Sequence, residues 1–196
     1  MILPKKMPLP EIEFELPAIQ HKRMGFATLK QGESMPLILD AGVLLPNISA
    51  EQWFTVQKEP INSHLSRFGP AQYAFSGQIQ EADIIKEGGL ESAILEVSCG
   101  GLPLRMTCAP QGDGLLPFGT WETRYLTGIS RLQGIVEEPY HTSIGTIVNV
   151  TIWQIRRLVL TPGDPVFGQW HETDELSSSP YKHDRIYITA RVHRSI

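Results

Sequence analysis

Apolar and polar residues alternate with a period of two over most of this chain, and that period predicts strands. In Glu11–Leu16 the residues Ile12, Phe14 and Leu16 share one face, while Glu11, Glu13 and Glu15 share the other and are expected to meet water. Arg185–His193 repeats the pattern, with Ile186, Ile188, Ala190 and Val192 inward and Tyr187, Thr189, Arg191 and His193 outward. Further strands are expected over 24–30, 73–85 and 121–127. The one helical signal is Ser49-Ala-Glu-Gln52, a capping box in which the serine hydroxyl and the glutamine side chain can satisfy each other's free amides. It predicts a short helix over 50–58 that stops before Pro60.

Around Gly100-Gly101 the alternation predicts a register as well. Ala93, Leu95, Val97 and Cys99 precede the glycines, and Leu102, Leu104, Met106 and Cys108 follow. A two-residue turn sets Val97 opposite Leu104 and Leu95 opposite Met106, so both apolar faces coincide. Pro103 then falls beside Ser98 with no amide to donate, so this strand is expected to be an edge there or to be covered by something other than a strand. Cys99 and Cys108 lie too far apart to join and are expected to be free thiols. Residues 144–160 are dense in β-branched side chains and read as strand, but their apolar phase slips near Trp153 and Gln154. That slip predicts a bulge or bend.

With 41% apolar and 19% charged residues in 196, the chain can bury a core. Prolines at 4, 8 and 10 forbid regular structure at the start, so residues 1–10 read as an extended arm and 11–196 as a single β-rich domain. The fold expected is all-β, or β-dominated with one short helix: an antiparallel barrel or sandwich with an extended N-terminal arm. A net charge of −4 provides no general field for nucleic acid or an anionic membrane. A nucleic-acid-binding barrel would need the tryptophans and Arg185, Arg191 and Arg194 on one face. Lys5-Lys6 is followed by Met7-Pro8 rather than by a secretory apolar run, and the longest apolar stretch, 36–46, carries Asp40 and is too short to span a bilayer. The location expected is cytoplasmic, or within an assembled particle.

Candidate chemistry is sparse. His171-Glu-Thr-Asp174-Glu175, with His183 following, has metal-ligating side chains, but the spacing matches no standard site. Of these, His171, Asp174 and His183 are the candidates for a metal, with His141 and Glu172 added for a small-molecule site or hydrolase. Gln111-Gly-Asp-Gly114 lacks any phosphate-loop arrangement and reads as a turn. Ser143 and His141 lie two apart on a strand and form no triad. The cysteines read as inert core residues, and Trp53, Trp121, Trp153 and Trp170 as large core side chains. Arg156-Arg157, facing opposite sides of a strand, makes no basic patch. No catalytic residue and no cofactor is implied.

Residues 73–83, Tyr-Ala-Phe-Ser-Gly-Gln-Ile-Gln-Glu-Ala-Asp, followed by the Gly100-Gly101 hairpin, resemble the small β-barrels of phage-tail and contractile-injection baseplate or hub proteins. The resemblance implies a non-enzymatic protein ordered by neighbouring subunits. The function expected is a structural or adaptor component of a multi-subunit assembly whose partners are protein subunits. The alternative is a β-barrel small-molecule or metal-binding protein, or a hydrolase, using the His171/Asp174/His183 region.

Overall fold

The computed structural model describes residues 10–42, 44, 53–87, 89–108, 124–136, 142–177 and 183–193. The expected arm therefore lies outside the described residues except for Pro10, as do Ser49 to Gln52, Trp121, His141, Arg194 and the glycine-rich 111–119.

In chain order the elements are β1 (Glu11–Leu16), α1 (Ala18–Arg23), β2 (Leu29–Lys30), β3 (Ser34–Gly42), β4 (Phe54–Gln57), β5 (His64–Gly69) and β6 (Gln72–Glu87). They continue with β7 (Leu90–Cys99), β8 (Leu102–Cys108), β9 (Tyr125–Ile135), β10 (Val148–Leu158), β11 (Trp170–Thr173), β12 (Glu175–Leu176) and β13 (Arg185–His193). Strands dominate, as the period of two requires.

Eight strands close into a ring in the order β10, β13, β1, β9, β6, β7, β8, β3 and back to β10. The ladder from β3 to β9, Ile38 opposite Ile135 through Gly42 opposite Arg131, crosses this ring. It divides the ring into two smaller closures that share β3 and β9. One holds β10, β13 and β1; the other holds β6, β7 and β8. The expectation of a purely antiparallel sheet is corrected here, because β1 runs parallel to β9 and β3 parallel to β8. Both parallel contacts are short, where a strand leaves one closure and meets the other.

Close approach within the closures depends on glycine, at Gly134 in the shared ladder and at Gly77 between β6 and β7. A Cβ on Gly134 would stand 2.7 Å from the Phe14 ring, and one on Gly77 would stand 2.1 Å from the Ser98 carbonyl oxygen. Phe14 is fully buried, and one continuous apolar cluster runs from Ile12, Leu37, Val150 and Ile188 in the first closure to Phe75, Leu95, Leu104 and Leu126 in the second. Each such side chain contributes about 1.5–3 kcal/mol when removed from water.

The hairpin has the expected register, with Val97 opposite Leu104, Leu95 opposite Met106 and Ser98 opposite Pro103. Gly100 and Gly101 both take positive φ, 58° and 82°, as a two-residue turn joining right-twisted strands demands. Past Pro103, β8 meets β3 at Arg105 and Met106. Cys99 and Cys108 are free and buried. In β10 the register shifts between Ile152 and Gln154, which places the bulge at Trp153.

Four expectations are corrected. Residues 54–57, inside the expected helix 50–58, are strand β4 paired with β9; the β-branched Thr55 and Val56 and the sheet neighbour outweigh the cap upstream. Of the strand expected over 24–30 only Leu29–Lys30 is extended, and the long strand expected over 144–160 begins at Val148. Before β2 stands α1, whose polar Gln20 and His21 are buried: Gln20 Oε1 accepts from the Val136 amide, and His21 Nε2 lies 2.9 Å from the Ala27 carbonyl. Buried polar side chains hid this helix from a hydrophobic count. Finally, Glu13, Tyr187 and Thr189, expected to face water, are 1%, 4% and 5% exposed.

Candidate functional site

Of the described polar residues singled out from the sequence, Glu172 and Asp174 line one depression, and His171 and His183 do not line it. His171 and Glu172 stand on β11 opposite Arg157 and Arg156 of β10, and both are exposed. Asp174 occupies the turn into β12, where its carbonyl accepts from the Gln31 amide. His183 is exposed ahead of β13. Among the described residues no three His, Cys, Asp or Glu side chains gather as a metal would require. Burial pushes the Cys99 and Cys108 thiols up to about 12, so neither is a nucleophile near neutral pH. A serine–histidine contact that the sequence did not suggest joins Ser76 Oγ to His64 Nδ1 at 2.5 Å. The serine is buried, and its hydroxyl also meets the Asn62 carbonyl.

The strongest polar cluster is instead centred on Glu13. The outer face of β1 is roofed by the β5–β6 connection, so a side chain that points away from the first closure is buried under the second. Glu13 Oε1 accepts from the Ala71 amide at 2.9 Å. Glu13 Oε2 meets Arg156 Nη2 at 2.6 Å, Arg67 Nη1 at 3.2 Å and Thr189 Oγ1 at 3.2 Å. The Glu13 amide donates to the Tyr73 hydroxyl at 2.8 Å, and burial raises the Tyr73 phenol above its ordinary value. Ala71 sits at φ 52°, a conformation costly for any residue with a Cβ. Glu13 draws donors from β5, the β5–β6 connection, β10 and β13, so this cluster ties the two closures together. Asp184 plays a similar part, accepting from the Leu160 and Thr161 amides and the Thr161 hydroxyl beside Arg157. Arg156 and Arg157 thus serve different carboxylates.

Two exposed surfaces stand out among the described residues. The first surrounds Trp153. A bulge adds one residue to a strand, so Trp153 and Gln154 both face outward before Ile155 returns to the core. Trp153 is 46% exposed, and Arg191 lies over its ring at 3.9 Å from the centroid. Trp170 is also exposed, under Arg156 at 4.9 Å. The core reading therefore holds for Trp53 and fails for Trp153 and Trp170. Trp153 lies beside Arg191, as a nucleic-acid surface would need, but Glu172, Asp174 and Glu175 line the depressions on either side of it.

The second surface is the end of the β6–β7 hairpin. Among the described residues, β6 pairs with β9 as far as Gln78, and from Ile79 to Glu87 it pairs with β7. Among the described residues, the other edge of β6 over 80–87 carries no strand, and Ile84 on it is 40% exposed.

Comparison with family models, curated proteins and solved structures finds no match to this chain.

Proposed function

We propose that this chain is a non-enzymatic structural or adaptor subunit of a multi-subunit assembly, with the β6–β7 hairpin as its docking element. The observation that supports this reading is exposed Ile84 on a β6 edge that, over 80–87, carries no strand among the described residues. An unpaired strand edge is a template for another chain, and soluble proteins ordinarily cover or bend such an edge away. Glu81, Asp83 and Lys86 along this edge discourage indiscriminate pairing while leaving Ile84 for a matched partner. A tail or injection machine is the class of assembly that the resemblance of residues 73–83 implies.

Light scattering after size exclusion tests the reading. The expected mass is a multiple of the 21.9 kDa chain that falls to a single chain in Ile84→Glu with an unchanged circular dichroism spectrum. A single-chain mass for both proteins at every concentration overturns it.

A further inference from the structure

We propose that the cleft beside Trp153 binds a neutral saccharide, with one face of the indole stacked on a sugar ring. Trp153 is the wall shared by two depressions. One, of about 510 Å³, is lined by Lys30, Gln31, Gly32, Asp174 and Arg191 among others. The other, of about 320 Å³, is lined by Gln31, Gln154, Glu172, Thr173 and Asp174. Both lie within the size of small-ligand sites.

The indole is exposed by construction. The bulge turns Trp153 outward where regular alternation would not place two successive residues. The guanidinium of Arg191 covers one ring face and fixes the ring, leaving the other for a ligand. The scaffold is rigid on each side. Gly32 N–H donates to the Ile152 carbonyl and Ile152 N–H to Glu33, and Gln31 N–H donates to the Asp174 carbonyl, so three segments are held around the ring.

The polar groups select the chemical class. Gln31, Gln154, Glu172 and Asp174 have no side-chain partner among the described residues, whereas Glu175 is paired with Lys30 at 3.3 Å. Two amides and two carboxylates are a set that receives hydroxyl donors and returns amide donors. The depression away from Arg191 contains carboxylates and no cation, which opposes phosphate, sulfate or uronate. A sugar ring offers an apolar C–H face to the indole and hydroxyls to the rim, which matches this combination.

Saturation-transfer NMR on the full chain tests the proposal. The probes are neutral hexasaccharides built from glucose, mannose, xylose and N-acetylglucosamine, with spermidine as a cationic control. At least one neutral series is expected to bind saturably, with an affinity indifferent to salt and weakened about tenfold or more in Trp153→Ala. Glu172→Gln and Asp174→Asn are expected to weaken it further. Because Trp153 is exposed, the variant is expected to unfold at the same midpoint as the parent. Absence of binding by every saccharide overturns the proposal. Equal binding by Trp153→Ala overturns it as well, and spermidine binding without saccharide binding shows an amine site instead.

Discussion

Glu13 and Arg156, 143 residues apart in sequence, meet at 2.6 Å, with the carboxylate 1% exposed. The pair joins β1 to β10 under the β5–β6 connection, and Arg67, Thr189 and the Ala71 amide complete it. Removing one member of a buried ionic cluster leaves the others without counter-charge, a loss of about 3–5 kcal/mol. Glu13→Ala is therefore expected to lower the urea unfolding free energy by that amount. Arg67→Ala, whose side chain is half exposed, is expected to cost about 1 kcal/mol or less. Similar effects of the two substitutions would show that Glu13 is not the centre of the cluster.

Close approach at glycine gives a second test. A Cβ at Gly134 meets the Phe14 ring at 2.7 Å, and one at Gly77 meets a backbone oxygen at 2.1 Å. Gly134→Ala is expected to cost about 1–3 kcal/mol, as overpacking does, and part of that loss should be recovered when Phe14→Leu is added. Gly77→Ala is expected to be the more damaging, because a carbonyl in a ladder cannot turn aside. Thermal unfolding of the three variants separates the cases.

The sequence carried the local pattern well and the long-range pattern poorly, for identifiable reasons. The register of β7 on β8 and the bulge at Trp153 follow from the apolar phase alone, because a one-residue slip exposes a whole face. The burial of Glu13 does not follow from phase. Alternation says which side of β1 a residue faces, and only the β5–β6 connection, some sixty positions away, decides whether that side is wet. For the same reason Tyr187 and Thr189 read as outward and are covered. The cleft was half legible: the slip near Trp153 marked where an aromatic ring would leave the core, but the segments that meet it at Gln31 and Asp174 gave no sign of doing so.

Because Trp153 is the extra residue in β10, deleting it leaves Ile152, Gln154 and Ile155 in regular alternation. The deletion is expected to fold with the parent's circular dichroism spectrum and a cooperative transition. Deleting Thr189 from the regular strand β13 moves Ala190 and Val192 onto the opposite face from Ile186 and Ile188 and is expected to prevent folding. Equal tolerance of the two deletions would contradict the placement of the bulge.

Alkaline pH should destabilise the protein in a defined way. Burial holds the Cys99 and Cys108 thiols protonated up to about 12, against 9.0 for an exposed thiol. The unfolded chain loses those protons first. The stability they contribute is complete below pH 9 and is lost as pH rises toward 12, at up to about 1.4 kcal/mol per pH unit for each thiol. Tyr73, also raised by burial, acts in the same direction from about pH 10. The guanidinium midpoint is expected to fall between pH 8.5 and 10.5, more gently in Cys99→Ala/Cys108→Ala. An aromatic disulfide reagent at pH 8 should leave both native thiols unmodified.

Ala71 offers the reverse experiment, a substitution that should stabilise. Its φ of 52° places a methyl group where an L-residue loses about 1–2 kcal/mol, and it tolerates this because its amide is held by Glu13. Glycine removes that strain but adds about 0.5–1 kcal/mol of backbone entropy to the unfolded chain. Ala71→Gly is therefore expected to raise the unfolding free energy by up to about 1 kcal/mol. Ala71→Pro deletes the amide that Glu13 Oε1 accepts from and cannot take a positive φ, so it should destabilise strongly. If glycine destabilised as well, the buried Ala71 methyl would be contributing more by packing than it costs by strain, and the β5–β6 turn would owe its position to that contact rather than to the carboxylate.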